Sequence, residues 1–191
     1  MSKSETQWNN FNVAFNNYLA YIERKHNRFE LTIIDLLYVG NFKGGNASIV
    51  STESDVNRAL SSYSVALVEI NSQIDGKSLN EMSQAQKNCV KSIAQQFIEM
   101  PLNPVTGIKG FKSSYASAIL CAHFSNLLPV IDRNVLSGFG IKHQTKQGQV
   151  VDIDKYYPRL IDCFWRRMSK SESLTLREID RDMFVKGANL R

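Results

Sequence analysis

The feature that most constrains the fold of this chain is the segment 107–120, GIKGFKSSYASAIL. Its two glycines, Gly107 and Gly110, predict a tight turn, because glycine tolerates backbone conformations that other residues resist. A helix is expected to begin near Ser113 or Ser114. The residues along it are mostly small, which lets another helix approach closely: Ala116, Ala118, Ile119 and Ala122. The segment therefore predicts a glycine turn followed by a helix packed inside a helical protein.

The remainder of the chain also has helical patterns. The capping-box spacing, a Ser or Thr followed three residues later by Glu or Gln, occurs at Ser4, Ser83 and Thr175 and predicts a helix start at each. Apolar residues at helical spacing predict further helices over 29–38, from about 51 to 71, and over 155–169. Gly40 and Gly187 are expected to end helices, and 144–154 is expected to be a loop or a small strand pair. The fold class is therefore all-α, with 1–191 as one domain.

Composition excludes several classes of protein. The three cysteines, Cys89, Cys121 and Cys163, are far apart and form no CxxC pair. This predicts free buried thiols in a reducing compartment, with no metal and no iron–sulfur cluster. The N-terminus has no apolar core of signal-peptide type, and no apolar run is long enough to cross a bilayer. We therefore expect a cytoplasmic protein with no membrane partner.

The positive charge is concentrated in one stretch. The formal net charge is +5, and from Met100 to Val151 the chain has a single acidic residue, Asp132. The same stretch holds five basic residues: Lys109, Lys112, Arg133, Lys142 and Lys146. This distribution indicates a polyanionic partner, although an ordinary solvated surface is the alternative.

The glycine turn has the chemistry of a phosphate site. Gly110 allows close approach of a ligand, and the helix after it offers free N–H groups at Ser113 and Ser114. Lys109 and Lys112 add charge to the same turn. We expect these five residues to contact DNA backbone phosphates, which position a duplex without reading its sequence. For the two lysines, ordinary surface positions are the alternative.

The segment resembles the hairpin of the helix-hairpin-helix DNA glycosylase superfamily, whose pattern is roughly L-P-G-V-G-x-K-T-A-x-x-x-L. The matching residues are Ile108, Gly110, Phe111, Ala116 and Leu120. In that superfamily an aspartate follows the hairpin in a V-D-x-x-V-x-R-like motif, and VIDRNVL at 130–136 places Asp132 there. The chain also resembles a bacterial branch of the superfamily whose closing helix is similar to LREIDRDMF at 176–184.

The resemblance implies two helical lobes around a cleft, double-stranded DNA as the partner, and excision of a damaged or modified base. Asp132 would be the catalytic carboxylate, stabilising the positive charge that develops on the deoxyribose and orienting a water. Asp132 is also expected to cap a helix, and both roles can hold. No cofactor is expected.

Three departures from the family pattern bear on how this chain could cleave the N-glycosidic bond. Lys112 replaces the second hairpin glycine, and Ser137 replaces the arginine that ends the aspartate motif. Ser114 occupies the position of the lysine that forms a Schiff base in bifunctional members, and serine cannot form an imine. We therefore expect a monofunctional enzyme that uses water, with Lys109 and Lys112 as the nearest other amines.

The base must leave the duplex and enter a pocket, which usually has aromatic walls. Tyr38, Phe42 and Trp165 are candidates for these walls. In the superfamily a loop at the place of residues 40–47 inserts into the duplex, which makes Asn41, Phe42 and Lys43 candidates for insertion. Two other functions are open: a non-catalytic helix-hairpin-helix protein that binds DNA, and a helical interaction module that does not.

Overall fold

A computed structural model describes residues 2–44, 48–171 and 173–190. Over these residues the chain is mostly helical, with one two-stranded antiparallel sheet, which confirms the all-α class. None of the helices in this part of the chain is both long enough and apolar enough to cross a membrane. The helices are α1 Lys3–Glu23, α2 Ile33–Phe42, α3 Glu53–Ile74, α4 Gln84–Glu99, α5 Ser113–His123, α6 Arg133–Gly138, α7 Tyr157–Met168 and α8 Leu176–Ala188, and the strands are β1 Thr145–Lys146 and β2 Gln149–Val150.

Two of the three predicted capping boxes start helices as expected. Ser83 caps α4 and Thr175 caps α8, each with a reciprocal side-chain bond from the third helical residue. The first helix begins earlier than predicted, because Ser2 and Glu5 form its capping box. Ser4 lies inside the helix, where its buried hydroxyl donates to Asn189 Oδ1 at 3.1 Å. Ser4 therefore does not cap the helix; its side chain makes a packing contact with Asn189.

Gly40 does not end a helix. Helix α2 runs from Ile33 to Phe42, so the predicted span 29–38 was wrong by four residues at each end. The true start follows Thr32, whose N–H donates to Asp35 Oδ2 at 2.8 Å. Of the predicted loop 40–47, residues 40–42 are helical, 43–44 form a turn, and 45–47 lie outside the described residues.

Gly187 does not end a helix either, because α8 continues to Ala188. A Cβ at Gly187 would lie 1.8 Å from the carbonyl oxygen of Asn134, and one at Gly138 would lie 2.1 Å from that of Met183. Helices α6 and α8 therefore meet backbone to backbone, and both glycines are needed for this contact. The contact fixes the position of α6.

Helix α5 is the most buried element, since only Ser114 of its eleven residues is not buried. It packs against α1, α2 and α4, as its small side chains predicted. Its last residue, His123, lies among the rings of Tyr18, Phe29 and Phe124. The imidazole of His123 is buried, and neither ring nitrogen has a hydrogen-bond partner among the described residues.

Candidate active-site pocket and nucleic-acid interface

The segment that leads to Asp132 is fixed by three hydrogen bonds. The Trp165 indole N–H donates to the Leu127 carbonyl at 2.8 Å, and the Tyr157 hydroxyl donates to the Pro129 carbonyl at 2.9 Å. The N–H of Ile131 donates to Ser117 Oγ at 3.0 Å, which joins the segment to α5. Trp165 is therefore a buried support for this segment and does not line the pocket described below.

Asp132 is the N-cap of α6, as predicted. Its Oδ1 accepts a hydrogen bond from the N–H of Asn134 at 2.7 Å. Its Oδ2 takes no part in that cap and lies 3.6 Å from Lys43 Nζ. The side chain is 31% exposed, so this second oxygen is available for other interactions. One oxygen thus holds the helix while the other lies near Lys43, and both residues line the pocket described next.

An inner pocket of about 70 Å³ lies beside Asp132. This space holds about two water molecules. Its lining is mainly apolar and includes four aromatic side chains. The lining residues come from α1, the C-terminal end of α2, the segment around Asp132 and α8: Trp8, Phe11, Phe42, Lys43, Val130, Asp132, Val135, Arg177, Asp180 and Phe184. The arrangement matches a binding site with an apolar body and few placed polar groups.

An outer cleft of about 490 Å³ adjoins the inner pocket and is more polar. Gln7, Asn10, Arg133 and Asn134 supply much of its lining. Four residues line both spaces: Phe11, Lys43, Asp132 and Phe184. Asp132 and Lys43 therefore lie at the boundary between an apolar pocket and a polar cleft.

A second carboxylate, Asp180, lies at the pocket wall and is buried. Burial raises its pKa, and the negative charge of Asp132 raises it further, while Arg177 and Lys43 oppose these effects. Arg177 donates to Asp180 Oδ2 at 2.5 Å, and Trp8 lines the same pocket wall. Two carboxylates and two cations thus share one site.

Arg177 is held in place from two other sides. Its guanidinium stacks over the rings of Trp8 and Phe15, at 4.8 and 4.4 Å from the ring centres. A further bond of 2.7 Å runs from Nη2 to Asn12 Oδ1. Arg177 therefore fixes the wall formed by Trp8 and Asp180.

Only two of the five predicted pocket or insertion residues lie at this site. Phe42 and Lys43 line the pocket. Tyr38 does not, because it stacks on Tyr18 and Tyr21, with ring centres 5.7 and 4.9 Å away. Asn41 is exposed and lines neither space.

Sequence reasoning missed the residues that come from the two ends of the chain. Trp8 and Phe11 fit the apolar periodicity of α1, which by itself indicates only one face of a helix. Arg177, Asp180 and Phe184 lie in the segment 176–184, which was noted only as a family-like closing helix. The sequence signal that could have indicated them is the pair of opposite charges three residues apart in α8, Arg177 and Asp180.

The glycine turn, defined here as residues 107–112, is fastened to the residues that precede α3. A Cβ at Gly110, which has φ +92°, would lie 1.8 Å from the Ser48 carbonyl oxygen. Lys109 donates its N–H to Ser51 Oγ at 2.9 Å, and the Val50 N–H donates to the Lys109 carbonyl at 3.2 Å. The turn is thus held rigidly, with Lys109 and Gly110 exposed.

Lys112, which replaces the second family glycine, causes no backbone strain. It is the N-cap of α5 with φ −120°, a conformation open to any residue. Its side chain makes no capping bond, so the first N–H groups of α5 have no partner from it or within the helix. Ser113 is buried at 2% exposure, so only its backbone N–H is suited to phosphate, whereas Ser114 is half-buried.

The β1–β2 ribbon connects the turn to the Asp132 helix. Lys112 Nζ donates to Gln149 Oε1 at 3.0 Å, and Arg133 Nη1 donates to the Gly148 carbonyl at 2.6 Å. Lys146 lies on the ribbon and is exposed. We call Lys109, Lys112, Arg133 and Lys146 the basic face; it joins the glycine turn to the residue next to Asp132.

No family model, curated protein or solved structure matches this chain. The three cysteines are free thiols, and Cys121 is buried. Over the described ranges, no group of three or more His, Cys, Asp or Glu side chains is placed to hold a metal ion. The geometry of the site therefore carries the functional proposal.

Proposed function

We propose that this protein excises a damaged or modified base from duplex DNA by hydrolysing the N-glycosidic bond. The observation that carries the proposal is the position of Asp132. Its side chain lines an aromatic pocket, with Oδ2 3.6 Å from Lys43 Nζ, while the basic face leads from Arg133 beside it to the glycine turn. In this proposal, the pocket that holds the base and the surface that binds the DNA backbone both adjoin the Asp132 carboxylate.

In this proposal, α4, the glycine turn and α5 act as the helix-hairpin-helix element. The backbone N–H groups of Gly110, Ser113 and Ser114 bind a phosphate, and Lys109 and Lys112 add charge. Helices α3 and α4 pack together, and α1 packs against α2 and α8. These two groups form the two lobes, and the DNA lies across the cleft between them.

The flipped base enters through the outer cleft, and the rings of Trp8, Phe11, Phe42 and Phe184 surround it. Since the inner pocket is small, Phe11 and Phe184, which line both spaces, move aside to admit the base. Asp132 Oδ2 then stabilises the positive charge on the sugar and orients a water. Ser114 carries no amine, so water cleaves the bond.

One observation favours a non-catalytic DNA-binding protein as the second candidate. Lys43 Nζ lies 3.6 Å from Asp132 Oδ2 and offsets the charge that the reaction would use. In that case the pair would serve to hold α2 near α6. DNA binding would then depend on the basic face alone.

The two candidates are separated by a base-release assay on a panel of duplexes with modified bases, followed by alkali to cleave abasic sites. Excision predicts cleavage by the wild type and none by Asp132→Asn. Asp182→Asn is the matched control, because Asp182 is an exposed carboxylate of α8 outside the pocket. Salt-sensitive DNA binding with no cleavage on the whole panel would favour the non-catalytic candidate.

A further inference from the structure

We propose that Lys43 carries a second activity at the same site, cleavage of the DNA strand at the abasic product through an imine to the sugar. This inference rests on the proposed base excision, because the substrate of the second step is the product of the first. The amine comes from the end of α2 and not from the glycine turn.

The location of Lys43 supports this role. It is the C-cap of α2, and its side chain is only 13% exposed. Its Nζ lies 3.6 Å from Asp132 Oδ2 and 5.9 Å from the centre of the Phe42 ring. It lines both the inner pocket and the outer cleft. The sugar of a base held in the pocket must lie near this amine, because Asp132 has to reach the same sugar carbon.

The two lysines of the glycine turn are poorly suited to the same task. Lys109 is exposed, and Lys112 directs its amine to Gln149 on the β1–β2 ribbon at 3.0 Å. A lysine whose side chain is largely removed from water is the kind that serves as an amine nucleophile. Lys43 meets this condition, since only 13% of its side chain is exposed.

The proposed chemistry needs no oxidant, reductant or cofactor. Hydrolysis of the base leaves deoxyribose, whose ring-opened form has an aldehyde at C1′. The neutral amine of Lys43 adds to C1′, and loss of water gives a protonated imine. Asp132 takes a proton from C2′, the electron pair forms the C2′–C3′ double bond, and the 3′ phosphate leaves. Water then hydrolyses the imine, which frees Lys43 and leaves an unsaturated aldehyde on the nicked strand.

The test uses the full chain and a duplex that contains one abasic site, so that no knowledge of the modified base is needed. Sodium borohydride reduces an imine to a stable amine and fixes the protein to the DNA. The wild type should give the adduct and nick the strand. Lys43→Arg should lose both, because arginine keeps the positive charge beside Asp132 but forms no such imine. Lys87→Arg is the control, since Lys87 lies in α4 and lines neither space.

Thermal unfolding of the variants and mass-spectrometric mapping of the adduct complete the experiment. An adduct on Lys43 that is lost in a folded Lys43→Arg variant supports the proposal. Persistence of the adduct in that variant, or its absence in the wild type, overturns it. Base release by the wild type without any adduct would overturn the strand-cleavage step and leave the excision proposal standing. An adduct without base release on the modified duplexes would overturn excision alone.

Discussion

Stability should depend on pH through His123, at the end of the helix that begins at the glycine turn. Burial, and then the nearby charges of Arg28 and Lys25, lower its pKa from 6.5 to about 3. Between these values the unfolded chain binds a proton at His123 that the native protein does not. The free energy of unfolding therefore keeps its full value above pH 6.5 and falls as pH drops toward 3. Between pH 6.5 and pH 3 the free energy of unfolding should fall by about 5 kcal/mol, which is comparable to the whole stability of a small domain.

The assay is urea unfolding of the wild type and of His123→Leu at pH values from 7 to 4. Leucine should cost little at neutral pH, because the imidazole nitrogens have no hydrogen-bond partner among the residues described. The difference in unfolding free energy should shift in favour of the leucine variant by about 1.4 kcal/mol per pH unit below 6.5. His26→Leu is the control, since His26 is exposed. Parallel pH profiles for wild type and His123→Leu would refute the reasoning.

Two further predictions concern the elements around the site. Gly187→Ala should lower the free energy of unfolding by about 1–3 kcal/mol, because the added Cβ would lie 1.8 Å from the Asn134 carbonyl oxygen. An unchanged midpoint of urea unfolding would contradict the backbone contact of α6 with α8. Lys112→Ala should weaken duplex binding, measured by fluorescence anisotropy. It should also reduce the slope of log affinity against log salt concentration by about 1. An unaltered slope would exclude a phosphate contact at Lys112.

Local chemistry made several elements predictable. Capping boxes at Ser83 and Thr175 depend on residues three apart, and the structure has helices at both. The small residues of α5 indicated close packing, and Asp132 was expected to cap a helix. Each of these predictions rests on contacts between residues close in sequence, or on the side-chain sizes along a single helix.

The predictions that failed involve contacts between distant parts of the chain. Gly187 resembles a helix stop in sequence, but it is required by the approach of α6 to α8. Tyr38 has the character of a pocket wall, yet it stacks on two tyrosines of α1. The pocket itself joins Trp8 with Phe184, residues from opposite ends of the chain, and no local pattern reports such a pairing.

The most direct test of the central claim is the rate of base release by Asp132→Asn compared with the wild type. Asparagine caps a helix about as well as aspartate, so this variant should keep α6 and lose less than about 1 kcal/mol of stability. We expect this variant to bind duplex DNA and to release base at least about 100-fold more slowly than the wild type. Base release at the wild-type rate by a folded Asp132→Asn would contradict the assignment of Asp132 as the catalytic carboxylate.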